Sequence, residues 1–235
     1  MLRVLLVLSR WNRGTVELRS ASRTDDVVRH SQTDEVLGLN WHEVVASPRG
    51  AEARSEARAE GRSYAWDPRE LIKFQDLELE GLSRWFDLSE TYRRVLDPVV
   101  SQALVSVASP LARLSETGPA IEALGYFLLR ADGLAEDRAA RVYLKARTER
   151  VVAELDGLLP FDGQEWAETM PDIYNAIKHA NRAEPAPVDV MNAWGRSVMV
   201  VRAWAALELG VDRQAVKERL GYDRQPYMFV GREAV

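Results

Sequence analysis

Apolar positions between residues 76 and 220 recur with the 3.6-residue period of an amphipathic helix. The clearest stripe follows the spacing i, i+3, i+4, i+7 and i+8, and it consists of Ile121, Leu124, Gly125, Leu128 and Leu129. Similar stripes occur within 144–158 and 190–205. Because the connections between successive helices are short, we predict antiparallel neighbours in a helical bundle over 76–220.

Proline and glycine mark the predicted ends of the individual helices. A proline at position 98 opens a second helix or kinks the first. The first helix is predicted to begin at Asp76. The next two are predicted from Gly118-Pro119 to Gly133 and from Glu136 to Leu158. Another begins at Pro171, with Trp166 packed just ahead of it, and the last two run from Pro187 to Gly210 and from Asp212 to Leu220.

The first 45 residues lack the helical pattern and form a small N-terminal segment. Leu2 to Leu8 is apolar and predicts either a short buried helix or a strand, because so short a run does not separate the two. Residues 14–19 alternate apolar and polar side chains, which predicts a strand. Residues 20–40 are polar, and we expect them to form a loop.

Residues 46–75 are predicted to be an exposed linker. Within them, residues 47–63 contain no large apolar side chain, so burial would gain nothing. The predicted fold is therefore mainly α, a helical bundle over 76–220 preceded by a short mixed α/β N-terminal segment and an exposed linker. Residues 221–235 are predicted to be a C-terminal tail.

Composition and charge narrow the possible partners. The chain has no cysteine, which excludes disulfides and thiolate metal sites and fits a reducing compartment. Its formal net charge of -5 provides no bulk attraction to nucleic acid, so any RNA contact must come from a local basic patch. The longest apolar run, residues 4–8, is far below the roughly 18 residues of a membrane span. We therefore expect a cytoplasmic protein with no membrane partner.

One polar cluster has the residue types for proton-transfer chemistry. If residues 171–182 are helical, Asn175, His179 and Arg182 fall at i, i+4 and i+7 on one surface, with Lys178 at its edge. Imidazole has an ordinary pKa of about 6.5, so it can take or give a proton at neutral pH. Arg182 or Lys178 could then stabilise charge on a phosphate, and Asn175 could orient the ring or the substrate.

The cluster also has a purely structural interpretation. A polar helix face of this composition is commonly only a solvated surface, and cations near a helix C-terminus favour the helix dipole. Glu122 lies between two buried positions of its stripe, so it either pairs with a cation of the fourth helix or points to water. The proposed chemistry needs no metal, and we expect neither a metal nor a cofactor.

The segment Asn175-Ala-Ile-Lys-His179, near the end of one helix and followed by one long helix, resembles the signature of HEPN domains. These are small helical bundles, many of them metal-independent RNases. Residues 77–220 are similar to the C-terminal HEPN region of ApeA-like anti-phage proteins, and the further similar pieces are Leu79 to Trp85 and Ala120 to Leu124.

The resemblance implies roles for individual residues. Asn175 matches the polar position of the HEPN motif and His179 matches its catalytic histidine. The arginine of the motif falls on Tyr174, which carries no positive charge, so either Lys178 or Arg182 substitutes for it or the domain is not a nuclease.

Three functions remain open from the sequence. By resemblance, the protein acts on or binds RNA in phage defence or a toxin system, as a homodimer in which two motifs form one cleft. The alternative is a catalytically silent HEPN-like module for dimerisation or partner binding. A helical regulator with a small-molecule pocket is the third.

Overall fold

The computed structural model describes residues 2–11, 20–43, 70–104 and 108–223. The chain divides into two compact units, one formed by Met1–Gly14 with Pro68–Val235 and the other by Thr15–Asp67. The predicted strand at 14–19 and the predicted exposed stretch at 47–63 lie outside the described residues.

The first unit is helical, and the mainly α prediction is confirmed. Its elements are α1 (Leu2–Arg10), α2 (Phe74–Thr91), α3 (Arg93–Leu104), α4 (Pro110–Ala131), α5 (Glu136–Arg141), α6 (Leu144–Glu154), α7 (Gly163–Lys178), α8 (Pro187–Glu208) and α9 (Arg213–Gly221). Among the described residues, no helix is both long enough and apolar enough to cross a membrane.

Helix α4 lies at the centre of this unit and packs against α3, α5, α6, α7 and α8. Its predicted stripe is largely confirmed, since Ile121, Leu124 and Leu128 are buried. Helix α8 is buried over most of its circumference, which is the pattern of a core helix. Between them, α4 and α8 pack against α1, α3, α5, α6, α7 and α9.

Several predicted helix boundaries are wrong, and local capping explains two of them. Helix α4 begins at Pro110, where the Ser109 side chain accepts a hydrogen bond from the Ala112 amide, so Pro119 lies inside the helix. Helix α7 begins at Gly163, because the Asp162 carboxylate accepts from two amides of the first turn. Pro171 is therefore also internal.

The predicted single helix from Glu136 to Leu158 is also wrong. It is divided into α5 and α6 by Val142 and Tyr143, both of which have extended backbone angles. The predicted stripe survives in α6 and just beyond it, where Thr148, Val151 and Leu155 are buried. The buried stripe is therefore largely as predicted, and only the prediction of one continuous helix is wrong.

The predicted N-terminal segment, residues 1–45, does not form a single body. Helix α1 belongs to the helical unit, where Val7 and Leu8 are fully buried, so the helix alternative for this run is the right one. The predicted linker at 46–75 extends too far, because Leu71 and Ile72 at its end are buried in the same core.

The second unit contains an antiparallel hairpin of β1 (Ser20–Arg29) and β2 (Val36–Glu43). The loop predicted over 20–40 is wrong. Val27 pairs with Leu39, and Ser22 pairs with Trp41 across an irregular stretch of β1. Charged residues between Ser22 and Val27 interrupt the alternation of apolar and polar side chains that would predict β1. The same alternation is present in β2 and could have predicted that strand.

A buried arginine on α8 joins three distant parts of the helical unit. The Arg202 side chain is 1% exposed and donates hydrogen bonds to the carbonyl oxygens of Leu8 and Ser9, at 2.7 and 3.1 Å, and to the Asp223 carboxylate. The Ser9 hydroxyl in turn donates to the Ile72 carbonyl at 2.6 Å. A buried charge is tolerated only when it is satisfied in this way.

We predict that Asp223→Ala destabilises the protein by about 3–5 kcal/mol, because it leaves the Arg202 guanidinium buried without its counter-charge. Urea unfolding followed by circular dichroism measures the loss. Asp87→Ala, on an exposed position of α2, is the matched control. The double variant Arg202→Met with Asp223→Ala should recover part of the loss, and an unchanged unfolding midpoint in Asp223→Ala would contradict the prediction.

Candidate functional site

The end of α7 is held against α4 by one close contact. The Tyr174 side chain is 4% exposed and lies directly on Gly118 of α4. A Cβ atom at position 118 would meet the Tyr174 ring at 2.2 Å, so only glycine leaves room for the ring there. This contact sets the position of the residues that follow Tyr174.

Helix α7 stops one residue before the histidine of the motif. Lys178 is its last residue, and His179 is the C-cap, with extended backbone angles (φ -120°, ψ 105°). The His179 amide donates to the Asn175 carbonyl at 3.1 Å, and the Arg182 amide donates to the His179 carbonyl at 3.0 Å. The chain therefore turns away at His179.

The predicted helical face of Asn175, His179 and Arg182 is consequently wrong in its geometry. The helix does not extend to 182, so a spacing of i, i+4 and i+7 does not stack these side chains. The prolines at 185 and 187 bar a continuous helix into α8, because a residue before proline disfavours helical angles. Asn175 lies on the helix, whereas His179 and Arg182 belong to the turn that follows it.

Both cations of the cluster have carboxylate partners. The Lys178 ammonium lies 3.7 Å from the Glu122 carboxylate, so of the two alternatives left open for Glu122 the structure shows the pairing with a cation of this helix. A guanidinium nitrogen of Arg182 lies 3.7 Å from the Asp172 carboxylate. Both pairs are partly exposed, and such pairs contribute only about 0–1 kcal/mol each.

The Lys178 ammonium also lies 4.8 Å from the centroid of the Tyr174 ring. A cation is thus placed over Tyr174, the residue that the resemblance described above aligns with an arginine. Attraction between the ammonium and the face of the ring keeps Lys178 in this position together with its ion pair to Glu122. Tyr174, Lys178 and Glu122 form one cluster at the end of α7, here called the α7 cluster.

Tyr174 itself is a neutral member of this cluster. Burial raises the pKa of Tyr174 to about 12, and the Glu122 carboxylate adds to the shift. The phenol therefore keeps its proton at every physiological pH and supplies no charge of either sign. The Lys178 ammonium is the positive charge that the described contacts place at the Tyr174 ring.

His179 is exposed next to the α7 cluster. In the part of the chain that the structure describes, its ring makes no hydrogen bond or ion pair. An accessible imidazole can exchange a proton with a bound substrate. Among the described residues, no group of His, Asp and Glu side chains is arranged to hold a metal ion.

Comparison of the chain with protein-family models, curated proteins and solved structures finds no match. The HEPN resemblance, the RNA-related function and the catalytic roles of Asn175 and His179 therefore stay predictions from the sequence.

We predict that Gly118→Ala destabilises the protein by about 1–3 kcal/mol, because the added methyl group overlaps the Tyr174 ring. The ring must move, and the contact between Lys178 and Glu122 should loosen with it. Urea unfolding measures the first effect. Gly221→Ala is the control, since a Cβ there meets nothing within 4 Å. Equal stability of the two variants would show that the ring is not held in this way.

Proposed function

We propose that the helical unit binds single-stranded RNA and cleaves it without a metal, as a HEPN-like endoribonuclease in phage defence or a toxin system. The observation that carries the proposal is the position of the Lys178 ammonium over the Tyr174 ring, on the residue that directly precedes His179 in the chain. A nuclease of this motif needs a cation at the arginine position, and Lys178 is the side chain that can provide it.

The chemistry follows from these two side chains. Neutral His179 takes the proton of a ribose 2′-hydroxyl, whose oxygen attacks the adjacent phosphorus. The ammonium of Lys178 stabilises the negative charge that develops on the phosphate oxygens. The bond from phosphorus to the 5′-oxygen breaks, and that oxygen leaves with a proton supplied by an acid. The products are a 2′,3′-cyclic phosphate and a 5′-hydroxyl.

A homodimer belongs to this proposal. In the dimer that the resemblance implies, a second copy brings a second His179 to the same cleft, where its protonated form serves as the acid. The exposure of His179 is compatible with such an arrangement. Light scattering at micromolar concentration should therefore give the mass of a dimer.

The second candidate is a catalytically silent module for dimerisation or partner binding. It is favoured by the pairing of Lys178 with Glu122 and of Arg182 with Asp172, which reduces the net positive charge beside His179. In that case the same surface binds a partner without cutting RNA.

Cleavage of a single-stranded RNA pool by EDTA-treated protein tests the proposal. We expect His179→Ala to lower the cleavage rate by about 100- to 10,000-fold and Lys178→Ala by about 100-fold. His30→Ala and Lys217→Ala are the matched controls, because both residues are exposed and lie outside the α7 cluster. Equal rates in wild type and His179→Ala would remove the role of His179, and no cleavage by wild type would favour the silent module.

Glu122→Gln tests whether Lys178 supplies the charge. The substitution keeps the shape of the side chain and removes the carboxylate that competes for the ammonium, so cleavage should rise about two- to fivefold. Glu136→Gln, at an exposed position of α5, should leave the rate unchanged. A fall in rate with Glu122→Gln would mean that the pair positions Lys178 rather than restraining it.

A further inference from the structure

A cleft of about 480 Å³ lies between α4 and the junction of α2 with α3. It is open to solvent rather than enclosed. Tyr92 interrupts the helix between α2 and α3 there and bends the chain. The lining residues are Glu90, Thr91, Arg93, Arg94, Tyr126 and Phe127.

Two aromatic rings of α4 provide the apolar part of the cleft. The rings of Tyr126 and Phe127 lie 5.6 Å apart, edge to face. Phe127 also packs edge to face on Tyr92 at 5.0 Å, and Tyr92 packs on buried Trp204 at 4.9 Å. Phe127 is therefore supported from behind by the core, and both rings are only partly buried. The two rings are inclined at 68° to each other, so a flat group can stack on the face of one ring and meet the edge of the other.

Two arginines provide the charge. Arg93 and Arg94 are exposed in the first turn of α3, and within the described chain neither makes an ion pair or a side-chain hydrogen bond. This distinguishes them from Lys178 and Arg182, each of which has a carboxylate partner.

We propose that this cleft holds one nucleotide of a single-stranded RNA, with the base against Tyr126 and Phe127 and a phosphate between Arg93 and Arg94. Partly exposed aromatic rings beside guanidinium groups are the combination by which proteins bind single strands. The Glu90 carboxylate at the edge of the cleft can accept a hydrogen bond from an exocyclic amino group of the base. An acidic peptide would meet the two arginines but would leave the two aromatic rings unused.

The choice of RNA as the ligand rests on the function proposed above, and the fold connects the two sites. Tyr126 follows Glu122 by one helical turn on α4, and Glu122 holds Lys178 at the α7 cluster. One helix thus contributes side chains to both places. A strand held in the cleft can extend toward His179, so the cleft provides affinity and the α7 cluster provides chemistry.

Binding of a fluorescein-labelled RNA of about twelve nucleotides to the full chain, measured by anisotropy at several salt concentrations, tests the inference. Arg93→Gln with Arg94→Gln should weaken binding about tenfold or more, and the salt slope should fall by about 0.7 for each phosphate that no longer meets a guanidinium group. Tyr126→Leu, which keeps apolar bulk, should weaken binding about fivefold or more. The controls are Arg138→Gln with Arg141→Gln, and Tyr143→Leu, all at exposed positions outside the cleft.

Parallel cleavage kinetics separate this inference from the proposed function. The cleft variants should raise KM and leave kcat unchanged, whereas His179→Ala should lower kcat and leave RNA affinity unchanged. RNA that is bound through the cleft but never cut would refute the nuclease and support the cleft. Equal RNA affinity in wild type and cleft variants would overturn the cleft. Binding of AMP without binding of RNA would also overturn it, by identifying a site for free nucleotides.

Discussion

The burial of one guanidinium group is the constraint around which the helical unit is organised. Arg202 has no access to water, so its donors must find acceptors inside the protein. They find them in the carbonyl groups at the end of α1 and in Asp223. An apolar residue at 202 could fill the same space, but it would not specify which backbone groups lie around it.

The surfaces assigned to function lie where regular structure stops, beside a well-packed core. Helices α4 and α8 are fixed by burial along their length. In contrast, His179 follows the last residue of α7, and Arg93 follows the interruption between α2 and α3 at Tyr92. At such ends backbone and side-chain groups are exposed for binding. Helix α4 links the two surfaces, because it presents Gly118 and Glu122 to one and Tyr126 and Phe127 to the other.

The sequence predicts what depends on periodicity and misses what depends on distant contacts. The stripes of α4 and α8 are predictable, because each buried side of a helix repeats locally. Pro119 and Pro171 are misleading as helix starts, although the capping residues Ser109 and Asp162 provide signals for the true ones. The sequence leaves open whether Glu122 pairs with a cation or points to water, because the choice depends on where the facing helix ends. The turn at His179 is not predictable either, since the apolar period gives no sign of a helix ending there. The cleft joins residues about 30 positions apart, and nothing in their local pattern indicates that they meet.

The hydrogen bonds of Arg202 also have a consequence for the order of biosynthesis. They join residues 194 and 193 positions apart in the chain, so α1 cannot complete its contacts until α8 has left the ribosome. At roughly 5–20 residues per second, that interval is on the order of ten to forty seconds. During it, α1 can pack against α3, but Val7 and Leu8 lack the part of their core that α8 supplies. The nascent chain must therefore carry an apolar segment that a chaperone can recognise or another chain can capture, and the elongation rate bears directly on the yield of folded protein.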